Sequence, residues 1–217
     1  PKQRGSHLAD VAMRVGLTWT AESTGRETAQ PEFRHLQRGM LAGEQQARFE
    51  PASHEGARDG RTVTLGGQSV GSWFGEGTLI RNAPRQSDLI ALRHSRVAQI
   101  PFDTFDWLRH HRPSFNEFLL AQVNERMHWF MGNFAAHGLL DTDSQVARAL
   151  AGLFHPWLHP GSDTHLQVSQ EEIANLSGVS RQRCNAALKR LQAAGLLEIE
   201  YGGITVTDLE GLRRQVE

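Results

Sequence analysis

Several kinds of chemistry are closed to this chain by what it lacks. Its 217 residues hold a single cysteine, Cys184, which excludes an intramolecular disulfide and any four-cysteine zinc or iron–sulfur site built from one chain. No uninterrupted apolar run approaches the roughly 20 residues needed to cross a bilayer. The opening residues, PKQRGSHLAD, have no apolar core of the signal-peptide kind. A reducing, cytoplasmic setting with no membrane partner is the expectation. A charge excess is missing too: the formal net charge is -1 and the pI is about 7.0, so any positive charge offered to nucleic acid must be local. No nucleophile–base pair, phosphate loop or metal-ligand cluster stands out, which argues against an enzyme and leaves the metal set empty.

What is present reads as globular. Hydrophobic residues make up 39%, charged residues 22%, and mean hydropathy is -0.45, which suits a soluble protein long enough for two small domains. Residues 1–60 scatter Gly, Arg, Glu, Gln, Ser and Ala without convincing periodicity, and no element is assigned there. From Arg61 the run RTVTLGGQSVGSWFGE alternates Val63 and Leu65 with threonines before its glycines, as a strand and turn do. Ser87–Leu92 and Arg96–Pro101 read as a further strand pair across a polar turn. The period then becomes helical from Phe115 to about Leu140, with Leu120, Val123, Met127, Phe130 and Phe134 spaced 3, 4, 3 and 4 along one face. That seam either packs on its own domain or pairs with its copy in a dimer. After a break at Gly138–Asp143, Thr142 and Gln145 stand at capping-box spacing before another helix. His155, His159 and His165, in a loop rich in Pro and Gly, read as surface residues without ligand spacing.

The C-terminal run VSQEEIANLSGVSRQRCNAALKRLQAAGLL is the most informative. Ser169 and Glu172 form a capping box, Ile173, Ala174 and Leu176 point inward, and Gly178-Val179 makes a tight turn. Ser180 caps a second helix that carries Leu188 and Leu191 and stops at Ala193-Ala194-Gly195. LLEIEYGGITVTD then alternates around Gly202-Gly203 as a two-stranded hairpin. Helix, turn, helix and hairpin in that order read as a winged helix-turn-helix whose partner is double-stranded DNA. Arg181, Gln182 and Asn185 suit guanine or adenine edges in the major groove. Ser169, Ser180, Arg183 and Lys189 suit phosphates, and Arg190 adds to a helix with no acidic residue from Ser180 to Arg190. Cys184 reads as a small apolar group packed inward.

On these residues, the segment SQEEIANLSGVSRQRCNAALKRLQAAGLL with its hairpin resembles the DNA-binding domain of the Crp-Fnr family of bacterial transcription regulators. GSWFGE followed by PRQSDLIAL resembles that family's phosphate-binding cassette, and Leu140–Phe154 resembles its hinge and first DNA-domain helix. The resemblance spans roughly Arg61 to Asp208. It implies an α+β fold: a cyclic-nucleotide-binding-type β-roll over 1–112, whose completeness residues 1–60 leave open, a dimerisation helix over 113–140 and a winged helix-turn-helix over 141–217. It also implies a homodimer on an inverted-repeat operator and, if the protein activates, a surface for RNA polymerase.

Departures from the family pattern set the remaining expectations. The implied effector pocket consists of Gly75, Glu76, Arg85, Gln86, Phe130 and Met131. Glu76 and Arg85 match the groups that take ribose and cyclic phosphate, but Gln86 replaces a serine, and Phe130 and Met131 replace the polar pair that would meet adenine. Cyclic AMP is therefore not the expected effector. Constitutive DNA binding and control by an unidentified small molecule stay open, and haem is not expected. In the recognition helix Arg181, Gln182 and Ala186 stand where readers of the best-known operator carry Arg, Glu and Arg, which implies a different half-site. The rival reading is a ligand-sensing or partner-binding module with a degenerate DNA domain.

Overall fold

The computed structural model describes residues 18–23, 39–43, 47–51, 64–69, 71–83, 87–91 and 95–216. The expectation of an α+β chain with a β-rich first half holds. Residues 1–60 differ from their reading, because they supply strands β1 (Thr18–Ser23), β2 (Gly39–Gly43) and β3 (Ala47–Pro51). With β4 (Gly66–Gln68), β5 (Trp73–Phe74), β6 (Ser87–Ala91) and β7 (Ser95–Pro101) they build two antiparallel sheets, ordered β1-β7-β2-β5 and β4-β3-β6. The strands at 87–91 and 95–101 exist as read, but they are not a pair. Glu50 faces Asp88 in one sheet, while Met40 faces Ile100 in the other.

Helix α1 (Glu76–Arg81) starts at Gly75, whose φ of 93° lies in the left-handed region that favours glycine. Helix α2 (Phe102–His111) leads into the long α3 (Pro113–Leu139), which opens with proline at its first position. Leu79, Ile100, Phe105, Leu108, Phe115, Phe118 and Leu119 form the buried core of this half, with Phe105 and Phe115 in an edge contact at 5.6 Å. The other face of α3 stays uncovered. Leu120, Val123, Met127, Phe130 and Phe134 are 72%, 40%, 53%, 42% and 86% exposed, so the seam does not pack on its own domain.

Helix α4 (Thr142–Gly152) takes its expected cap, Thr142, as its first helical residue. Asp141, not Thr142, is the cap, its carboxylate accepting from the Ser144 amide at 2.9 Å, and that bond holds its pKa below the ordinary value. Helices α5 (Gln170–Ser177) and α6 (Arg181–Ala193) follow, then β9 (Leu197–Glu200), β10 (Gly203–Val206) and α7 (Leu209–Arg214). The hairpin is not alone: β8 (His165–Leu166) joins it in a sheet ordered β8-β10-β9. Val146, Leu150, Ile173, Leu188, Leu197, Ile204 and Leu212 make this half's core, each 1% exposed or less.

The segment after α4 ties the halves together. The Ser72 hydroxyl donates to the Leu158 carbonyl at 2.7 Å, and Trp157 packs against the first core, 6.2 Å from the Phe118 ring. The expectation that His159 lies at the surface fails. It is 5% exposed beside Ser72, and burial drives its pKa from 6.5 to about 3, helped by the charges of Arg126 and His155.

Candidate DNA interface and effector pocket

The second half builds a helix-turn-helix from local chemistry. Ser169 Oγ accepts from the Glu172 amide at 3.2 Å, and Glu172 Oε2 accepts from the Ser169 amide at 2.6 Å, completing the capping box of α5. Gly178 closes α5 at φ 69°, and Ser180 Oγ accepts from the Arg183 amide at 3.4 Å to start α6. Cys184, Ala187, Leu188 and Leu191 are buried on one face of α6, which fixes the opposite face outward. Cys184 packs inward as read, and burial pushes its thiol up to about 11, which keeps it protonated and inert at neutral pH.

That outward face carries the residues singled out for DNA. Arg181, Gln182, Arg183 and Lys189 are exposed, and Arg181, Asn185 and Lys189 recur every fourth position along one side. Asn185 is half-buried, and its Oδ1 has no hydrogen-bond partner among the described residues. The hydroxyls of Ser169 and Ser180 accept as caps, and among the described residues neither O–H donates to a partner, so each could donate to a phosphate. Arg190 behaves differently from its neighbours. Its guanidinium makes a two-point pair with Asp143 of α4, its Nη2 donating to Oδ1 at 2.6 Å, so it braces α6 on α4. Beyond α6 the hairpin turns at Tyr201-Gly202, with Gly202 at φ 81° and Tyr201 fully exposed at the tip.

The effector pocket is described in part. Gly75 and Glu76 are in place, whereas Arg85 and Gln86 lie outside the described residues. Glu76 is 3% exposed, and Arg126 of α3 meets it: Nε donates to Oε1 at 2.8 Å, and Nη2 donates to the Trp73 carbonyl at 2.7 Å. Sequence reasoning missed Arg126, whose one signal was a cation four residues before Phe130 on the same helix side. Glu76 Oε2 is buried with no partner among the described residues, an acceptor of the kind a sugar hydroxyl would satisfy. The ribose side of a nucleotide thus fits. Phe130 and Met131, which the family resemblance sets against the base, are 42% and 61% exposed and bring an aromatic ring and a thioether, poor partners for a hydrogen bond. Among the described residues, no cluster of three His, Cys, Asp or Glu could hold a metal ion, and no helix is long and apolar enough to cross a membrane.

Residues 144–215 match the family described as Crp-like helix-turn-helix domain, and residues 54–112 match the cyclic nucleotide-binding domain. The chain is 29% identical over 164 residues to the CRP-like cAMP-activated global transcriptional regulator of Mycobacterium tuberculosis, covering 73% of this chain and 72% of that one. It is 30% identical over 148 residues to the CRP-like protein Clp of Xanthomonas oryzae pv. oryzae, 64% of each chain. In fold it resembles FixK2 of Bradyrhizobium japonicum, with a TM-score of 0.70 at 13% identity over 93% of this chain and 98% of that one. It also resembles the c-di-GMP responsive regulator CLP of Xanthomonas campestris, with a TM-score of 0.62 at 20% identity over 92% and 98%.

Proposed function

This chain belongs to the Crp-Fnr family of transcription regulators, which are not enzymes, and from that premise we propose that it binds an inverted-repeat operator as a homodimer. One observation carries the reading: α6 buries Cys184, Ala187 and Leu188 while the first turn exposes Arg181 and Gln182. Capped and braced in this way, the helix offers its N-terminal side chains to base edges. Arg181 pairs with guanine, Gln182 and Asn185 with adenine, and Ser169, Ser180, Arg183 and Lys189 take phosphates. With Gln182 and Ala186 in place of an acid and a second arginine, the half-site differs from the best-known one of the family.

The exposed seam of α3 supplies the two-fold contact. Its five apolar side chains line one face without cover, and a second copy placed against them would set the two α6 helices about one DNA turn apart. Glu76, held by Arg126 through one carboxylate oxygen, keeps the other as an acceptor for a sugar hydroxyl, while Phe130 and Met131 disfavour adenine. The cyclic-nucleotide response is accordingly altered or absent, and effector chemistry already varies among similar proteins, one cAMP-activated and one responsive to c-di-GMP. A DNA partner places the protein's work in the cytoplasm. If the protein activates transcription, its partner is RNA polymerase.

Selection of duplexes from a random pool, with purified protein and no added ligand at near-physiological salt, tests this. Enrichment of an inverted repeat is the expected result. Failure to enrich any sequence, with and without cyclic nucleotides, would remove the operator reading in favour of a sensing module with an idle DNA domain.

A further inference from the structure

A cleft of about 320 Å³ opens where the long helix meets the DNA-binding half, and its lining includes none of the implied effector-pocket residues. Trp129 and Asn133 of α3, Arg148 and Gly152 of α4, and Arg213 and Val216 at the C-terminal end line it. Two glycines seat its side chains, Gly152 on the lining and Gly132 behind Arg148. A Cβ on Gly152 would stand 2.9 Å from Trp129 Nε1, so the indole edge lies on bare α4 backbone. A Cβ on Gly132 would collide with the Arg148 guanidinium, which lies on bare α3 backbone. Each helix thus seats a side chain of the other, and both groups are held before anything binds.

The chemistry of the cleft is uneven. Arg148 Nε donates to Asn133 Oδ1 at 3.1 Å, which leaves four of a guanidinium's five N–H groups. Among the described residues no carboxylate forms an ion pair with Arg148, in contrast to Arg126, Arg190 and Arg214. On the third wall Arg213 pairs, among the described residues, with Glu210, an exposed pair whose attraction is weak in water. An aromatic face, a fixed guanidinium with spare donors and a second cation suit a planar ring bearing a carboxylate or phosphate. The volume is of the size small-molecule sites occupy.

We propose that this hinge cleft binds a small aromatic anion, the indole of Trp129 taking the ring and Arg148 and Arg213 the charge. The cleft spans the junction at Leu140–Asp141, so an occupant joins α3 to α4 and α7. It favours the domain arrangement in which those walls stand together, and it does so without passing through Glu76.

Isothermal titration of the whole protein, without DNA, with phenyl phosphate and separately with inorganic phosphate is the test. Phenyl phosphate should bind saturably at one site per chain, tenfold or more tightly than inorganic phosphate. Arg148→Gln and Trp129→Leu should each weaken it at least tenfold, and Arg112→Gln, at the far end of α3, should leave it unchanged. Arg213→Gln alters an exposed side chain, so it keeps the test valid should Arg148→Gln fail to fold, and it too should weaken binding. No saturable binding of phenyl phosphate, or unchanged affinity in the arginine variants, overturns the proposal. Equal affinity for the two phosphates overturns the aromatic part of it. Because no DNA enters the titration, its failure leaves the operator reading untouched, and failure of the duplex selection leaves this site untouched.

Discussion

At the scale of single residues, the basic side chains of α6 are all exposed and differ in their place along the helix. Arg181, at the first turn, is the proposed base reader, and Arg181→Ala should cost about 1 to 3 kcal/mol at one operator position. Lys189, two turns on, is the proposed phosphate contact, and Lys189→Ala should weaken all sequences alike and lower the salt slope by about one. Binding measured on single-base operator variants separates them, and equal losses on every sequence for Arg181→Ala would take it out of the reading set. His159 gives a prediction in pH. The unfolded chain takes up its proton near 6.5 and the folded chain near about 3, so stability is whole above 6.5 and falls as the pH drops through the interval below. The slope is at most about 1.4 kcal/mol per unit. Urea unfolding between about pH 7.5 and 5.5 should show a smaller acid loss in His159→Gln; equal losses would mean that the buried ring carries no such penalty.

At the scale of elements, contacts of the chain with its near neighbours were legible and contacts at a distance were not. The box between Ser169 and Glu172, the turn at Gly178 and the cap at Ser180 are all settled within a few residues, and each stands where its pattern put it. The strands within 1–60 were missed because their partners lie far along the chain, β1 on β7 and β3 on β6, and nothing local announces such pairings. The Glu76–Arg126 pair, 50 residues apart, was hidden for the same reason. Distance also explains β8, whose placement makes Gly203 matter. A Cβ there would stand 2.9 Å from the Leu166 carbonyl oxygen and 2.7 Å from the His165 ring. Gly203→Ala should therefore part β8 from β10 at a cost of about 1 to 3 kcal/mol in thermal unfolding, and an unchanged midpoint would mean the sheet yields freely. On α3, Phe130→Asp would place an unpaired charge in the proposed seam and should halve the mass found by light scattering. A dimer that survives would show that the seam faces something else.

At the scale of the whole molecule, the two halves are coupled through the segment after α4 as well as through the hinge. Ser72 donates to Leu158, His155 Nε2 stands 3.3 Å from Glu125 Oε2, and Leu153 touches the bare backbone at Gly67. Ser72→Ala should strip the Leu158 carbonyl of its donor and weaken the docking by about 1 to 3 kcal/mol. The loss should appear as faster hydrogen exchange at Leu158 and His159 while α6 keeps its protection. Exchange unchanged at both residues would show that the hydroxyl holds nothing together.

Trp157 follows the hinge in sequence yet completes the core built by Phe105, Phe115 and Phe118. A chimera spliced at Asp141, between the long helix and α4, would bring a foreign side chain into that core and leave a native one without its neighbours. The unit that can be exchanged between relatives without damage therefore does not end at the hinge. It runs on past Ser162, whose hydroxyl donates to the Leu153 carbonyl, and recombination that respected only the helix boundaries would cut through the packing.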